Sequence, residues 1–118
     1  MSVYIVSDQG YGVCMFFFRK KKIDKAAWAA LVYEKPPKNI EQESEERLSS
    51  LTTMMLMQHH RIITESVRIV LATKNDETRR SRMDLSRHHY QEMAKFKPYC
   101  NKEQSEIIRQ AEFLMQKL

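Results

Sequence analysis

A chain of 118 residues, 42% hydrophobic and 30% charged, is the size of one domain with a modest core and is too apolar to be wholly disordered. Two glycines and three prolines leave few tight turns, which excludes a many-stranded β architecture and favours long helices. The formal charge of +5 is compatible with an acidic partner such as nucleic acid, an anionic membrane surface or an acidic protein, but does not require one.

Cys14 and Cys100 belong to no CxxC pair, and methionine is abundant at eight residues. That usage fits a reduced, intracellular protein of the cytoplasm or nucleus better than a disulfide-stapled one. No secretory leader is expected, since the start has no basic segment and its apolar stretch is broken by Asp8 and Gln9. The longest apolar run, residues 13–18, is far too short to cross a bilayer.

In chain order, Val3, Tyr4, Ile5 and Val6 and then residues 13–18 are rich in β-branched and aromatic side chains on either side of a Gly-containing turn segment. This pattern predicts a β-hairpin with a basic end over residues 1–22. Two strands alone are marginal, so the hairpin is expected to lie against helices. Arg19, Lys20, Lys21 and Lys22 follow. Clustered cations of this kind attract polyanions, although four of them also serve as a charged stop that keeps a sticky strand from pairing with other chains. A short helix is expected over 24–35, with Asp24 as its N-cap, Ile23 stapling against Trp28, and Pro36-Pro37 as its stop.

Residues 39–74 carry the strongest pattern. At about 100° per residue, Leu48, Leu51, Met55, Leu56, Ile62, Ile63, Ile69 and Val70 gather on one side of a helical wheel. Arg47, Gln58, Arg61, Glu65 and Arg68 gather on the other. The expected helix starts at Asn39, with Gln42 in a capping box, and unbroken it would be about 50 Å long, more than a domain of this size is wide. Other helices or a second copy of the chain must therefore cover it. Asn75-Asp76 marks a break that folds the next helix, 77–97, back antiparallel. That helix has apolar residues on two sides and opens with Arg79, Arg80 and Arg82, with Arg87 beyond. Cations at a helix N-terminus oppose the dipole, so either a bound anion or nearby acids such as Glu77 and Asp84 must offset them. Pro98 ends it, and Asn101 caps an amphipathic C-terminal helix over 101–118, with Gln104 at the capping-box position.

The expected fold is therefore α+β and predominantly helical: an N-terminal β-hairpin packed on a bundle of about four helices around one long central helix. No catalytic signature is present. There is no Gly-rich phosphate loop, no nucleophile elbow and no Cys-His spacing of known mechanism. The pairs His59-His60 and His88-His89 stand at similar distances from the Asn75 turn, so they can meet across the helical hairpin. Adjacent histidines diverge by about 100° on a helix, and neither pair has a carboxylate in the HExxH or ExxH pattern. No metal and no cofactor are expected on those grounds.

Two functions are weighed. The preferred one is a non-catalytic interaction or scaffold subunit, a homodimer or part of a complex, because the helices carry more apolar face than one short chain covers. Its expected interface residues are Met55, His59, Ile62, Tyr90, Leu114 and Leu118. The alternative is an RNA- or DNA-binding protein that uses Arg19, Lys20, Lys21 and Lys22 together with Arg79, Arg80, Arg82 and Arg87. No small-molecule substrate and no membrane span are expected.

Overall fold

In the computed structural model the described residues are 23–35 and 38–118. They form α1 (Lys25–Val32), a 3₁₀ turn (Ile40–Gln42), α2 (Glu45–Ala72), α3 (Asp76–Ala94), a second 3₁₀ turn (Lys97–Tyr99) and α4 (Lys102–Met115). The α+β expectation is overturned: 80% of the described residues are helical, and none lies in a strand or sheet. The segment expected as a β-hairpin, residues 1–22, lies outside the described residues.

α2 is the axis of the structure, about 42 Å long. Its buried residues are Leu48, Thr52, Leu56, Ile63, Ser66, Val67 and Val70, spaced by threes and fours along one face. α1, α3 and α4 all pack against it. The core joins Trp28 and Ala29 of α1, Leu48, Leu56, Ile63 and Val67 of α2, Met93 and Phe96 from the end of α3, and Ile108 and Ala111 of α4.

The long helix begins later than its periodicity suggests. Asn39 makes no side-chain capping bond, and the N-cap is Ser44, whose Oγ accepts from the Arg47 amide at 3.1 Å. Glu45 and Glu46 occupy the first turn, where carboxylates favour the helix dipole. The break has a structural cause at Glu43. Its carboxylate accepts from the Tyr33 hydroxyl at 2.5 Å and pairs with Arg47 at 3.3 Å, while its carbonyl accepts from Lys25 Nζ at 3.1 Å. These contacts tie the segment before α2 to both ends of α1, a placement a continuous helix from Asn39 would not give. α3 likewise stops at Ala94, short of the expected 97, because Phe96 turns into the core and Pro98 is taken up in a 3₁₀ turn.

A few polar contacts fix how the shorter helices meet α2. Trp28 is 3% exposed and donates from Nε1 to Thr52 Oγ1 at 2.8 Å, and its ring stacks on Tyr99 with centroids 5.5 Å apart. Ile23, expected to staple against Trp28, is 40% exposed. Gln104 is fully buried. Its Oε1 accepts from the Asn101 amide at 2.9 Å, completing the capping box of α4, and its Nε2 reaches the Ser49 carbonyl at 2.9 Å and Thr53 Oγ1 at 2.8 Å. One side chain thus starts α4 and sets its register on α2.

The α2–α3 hairpin is closed by Asn75, which caps α3 through the Thr78 amide at 2.9 Å. Buried serines, Ser66 on α2 and Ser86 on α3, are small residues that permit close helix approach. Ser86 Oγ donates to the Arg82 carbonyl at 2.9 Å, whereas Ser66 Oγ has no partner. Among the described residues no helix is long and apolar enough to cross a membrane.

The two buried hydroxyls predict opposite effects. Thr52→Val strands the Trp28 indole N–H and should lower stability by about 1–3 kcal/mol, whereas Ser66→Ala removes an unpaired buried hydroxyl and should raise it by about 1 kcal/mol. Urea unfolding followed by Trp28 fluorescence measures both. Equal midpoints for the two variants would contradict these assignments.

Candidate functional site

The antiparallel return of α3 brings the two His-His pairs together. Only one ring of each pair points into the hairpin, as their 100° divergence requires. His59 Nδ1 and His89 Nδ1 are 2.8 Å apart, with ring centroids at 5.1 Å. The His88 ring lies edge-on to His89 at 5.4 Å. His60 faces another way, into a groove between α2 and α4.

Two imidazole nitrogens at hydrogen-bond distance need a single proton between them. One ring donates its Nδ1–H to the lone pair of the other. If both Nδ1 atoms are protonated, two N–H groups face each other and the contact fails. The surroundings favour the neutral rings. Burial, foremost, pushes both His59 and His89 below the ordinary histidine range; His89 and His88 add to this for His59, and His88 adds to it for His89. Glu92 opposes the shift at both rings. The Glu92 carboxyl is itself held low, chiefly by its hydrogen bond from Lys95 Nζ at 2.7 Å.

The second feature is the groove between α2 and α4, open to solvent with a volume of about 450 Å³ and lined by His60, Thr64, Arg109, Gln110, Phe113 and Leu114. Gln104 places the start of α4 beside Ser49 and Thr53, and the groove places its end beside His60 and Thr64, so α4 runs parallel to α2. Phe113 is 61% exposed at the groove edge. Met57 is 59% exposed and lies on the same stripe of α2 as His60 and Thr64. A smaller hollow of about 250 Å³ lies among Lys97, Ser105, Ile108, Arg109 and Glu112, where Arg109 is paired with Glu106 and Lys97 with Glu112.

The residues expected at an interface are largely engaged within the chain. Met55, Tyr90, Leu114 and Leu118 are half-buried against the core, Ile62 is half-buried, and His59 is held by His89. Tyr90 also donates to Glu112 at 2.6 Å, a bond that raises its hydroxyl pKa.

The basic start of α3 is mostly offset locally. Arg79 donates to Asp76 at 2.6 Å and to the Thr73 carbonyl at 2.8 Å, stitching the turn between α2 and α3. Arg87 pairs with Asp84 at 3.4 Å. Arg82, half-buried, adds to the effect of Arg68 in holding the Glu65 carboxyl low. Arg80 is exposed and forms no ion pair with the described residues. The cluster of Arg19, Lys20, Lys21 and Lys22 lies outside the described residues.

Three features escaped the sequence reading. Phe113 falls off the apolar stripe of α4, and that departure was the available sign of an outward aromatic. Gln104 was placed in a capping box, but its reach to α2 depends on tertiary position. Glu92 stands three residues after His89 on α3, a spacing that neither HExxH nor ExxH describes.

With the geometry in place, comparison with known proteins adds no relative: no protein-family profile, curated protein or solved structure matches the chain.

The histidine pair predicts an acid-sensitive hairpin. A histidine whose folded pKa lies below its unfolded value stabilises the fold while neutral, and that stability is lost as pH falls below about 6.5, the unfolded value. The thermal midpoint should hold steady from pH 8 to pH 7 and decline below 6.5. His89→Gln, which can still accept a hydrogen bond from His59, should flatten that decline. An identical acid decline in the variant would show that other groups cause it.

Proposed function

We propose that this chain is a non-catalytic helical interaction subunit that pairs with a second copy of itself through the α2–α4 face. The observation that carries the reading is Phe113, exposed beside an open groove that its own helix helps to line. A projecting aromatic and a recess on one face are self-complementary. In a two-fold pair, Phe113 of each copy enters the groove of the other, and Met57 extends the contact along α2. Aromatic anchors that fill a pocket dominate the binding free energy of such contacts.

The remaining surface supports a binding role over a catalytic one. The two hollows are open, and the histidines with shifted pKa values meet each other across the hairpin, with neither placed in these hollows. The last turns of α2, with exposed Leu71, run past the end of α4 and enlarge the apolar face.

The test is the native mass of the full chain by light scattering across concentration and salt. A dimer that persists at high salt and becomes a monomer on Phe113→Glu, with an unchanged helical spectrum, is the expected result. A monomer at every concentration overturns the reading. A mass that rises only when RNA or DNA is added, and falls again with salt, points instead to nucleic-acid binding.

A further inference from the structure

From the meeting of His59 and His89 across the α2–α3 hairpin, with Glu92 one turn beyond His89, we infer a binding site for one divalent transition-metal ion of the zinc type. The inference is independent of self-association, because the hairpin lies within one chain and the α2–α4 face is not part of it.

The two Nδ1 atoms are 2.8 Å apart. Zinc takes imidazole nitrogens at about 2.0–2.1 Å in tetrahedral geometry, which places two such nitrogens about 3.3 Å from each other. An opening of about half an ångström, with both rings turned so that their Nδ1 lone pairs converge on one point, converts the hydrogen-bonded pair into a coordinating pair. The chemistry balances without loss of a proton. The donor ring moves its hydrogen from Nδ1 to Nε2, and both rings then offer an Nδ1 lone pair while remaining neutral. Metal ligation needs neutral imidazole, the form that half-burial favours here.

A third donor stands close by. Glu92 follows His89 by three residues and therefore shares its face of α3. Its charge acts on both rings. In the present geometry it is turned to Lys95, and among the described residues no three His, Cys, Asp or Glu side chains already converge on a point. The Glu92–Lys95 pair is solvent-exposed, a kind of contact that contributes little, so exchanging the ammonium for a dication is a small rearrangement. Two imidazoles, one carboxylate and one water complete a four-coordinate shell of nitrogen and oxygen donors, which selects zinc-like ions over magnesium. A bound ion would hold α2 to α3 at mid-length and so act as a clamp on the hairpin.

The experiment titrates Zn²⁺ alone into the metal-stripped full chain at pH 7.5, by calorimetry, with a parallel Mg²⁺ titration. Saturable uptake of one Zn²⁺ per chain, no uptake of Mg²⁺, and a rise in thermal midpoint are expected. His59→Gln and His89→Gln should each weaken zinc binding by about tenfold or more, Glu92→Gln by several-fold, and His60→Gln not at all. As a check that needs no variant, zinc should shift the Nδ1 resonances of His59 and His89 in nitrogen-15 spectra of the unaltered protein and leave His60 in place. Absence of saturable uptake, uptake undiminished by both histidine substitutions, or zinc-induced shifts confined to other histidines would each overturn the site.

Discussion

Burial of one face of α2 is the constraint from which the rest of the structure follows. Leu48, Leu56, Ile63 and Val67 are all removed from water on a single 28-residue helix. A helix of that length has no stable existence with such a stripe exposed, so the shorter helices are held to it by the apolar area they cover. Apolar burial is non-directional, and it does not by itself decide where along α2 each shorter helix docks.

Register comes from polar groups set into that face. Trp28 finds Thr52, Gln104 finds Ser49 and Thr53, and His89 finds His59. Each joins a partly or fully buried polar group to a hydrogen-bond partner on α2, and a slip of one turn would leave both unpaired at a cost that competes with the whole margin of stability. The three contacts also differ in kind. Trp28 and Gln104 keep their protonation at any ordinary pH, whereas the histidine contact depends on the number of protons present. Of these three contacts, the one between the α2 and α3 histidines is therefore the one whose strength follows the proton count. The α2–α4 face behaves differently. It is built by the parallel docking of α4 and presents the exposed Phe113 and Met57 beside a groove lined by both polar and apolar side chains.

Much of this was legible in the sequence because it depended on local chemistry. Asp24 and Asn101 cap helices through their own side chains, the Asn101–Gln104 capping box forms, and the break at Asn75-Asp76, where Asn75 rather than Asp76 caps α3, brings the histidine pairs to the same level. The failures have physical causes. Periodicity carried the long helix back to Asn39, but Glu43 is drawn out of helical geometry by Tyr33 and Lys25, residues more than a helical turn away in sequence. The β-hairpin expected over residues 1–22 lies outside the described residues, and among the described residues the helices supply a core without any strand. The cations at the start of α3 left open either a bound anion or local acids; Asp76 and the carbonyl end of α2 take up Arg79, a pairing visible only once the turn is closed. Phe113 and Glu92 were passed over because one lay off the expected stripe and the other stood at a spacing that neither HExxH nor ExxH describes.

The central claim is that α2 is one continuous helix buried along one face, and the proposal built on it is that a second copy of the chain completes its α4 side. Residue-resolved amide hydrogen exchange at low and high protein concentration tests both halves of that statement in one measurement. The account predicts that α2 amides from Leu48 to Val70 exchange as a single slow unit, and that only the segments around His60 and Phe113 gain protection as concentration rises. Separate exchange of the two halves of α2, or protection at those segments that ignores concentration, would contradict it.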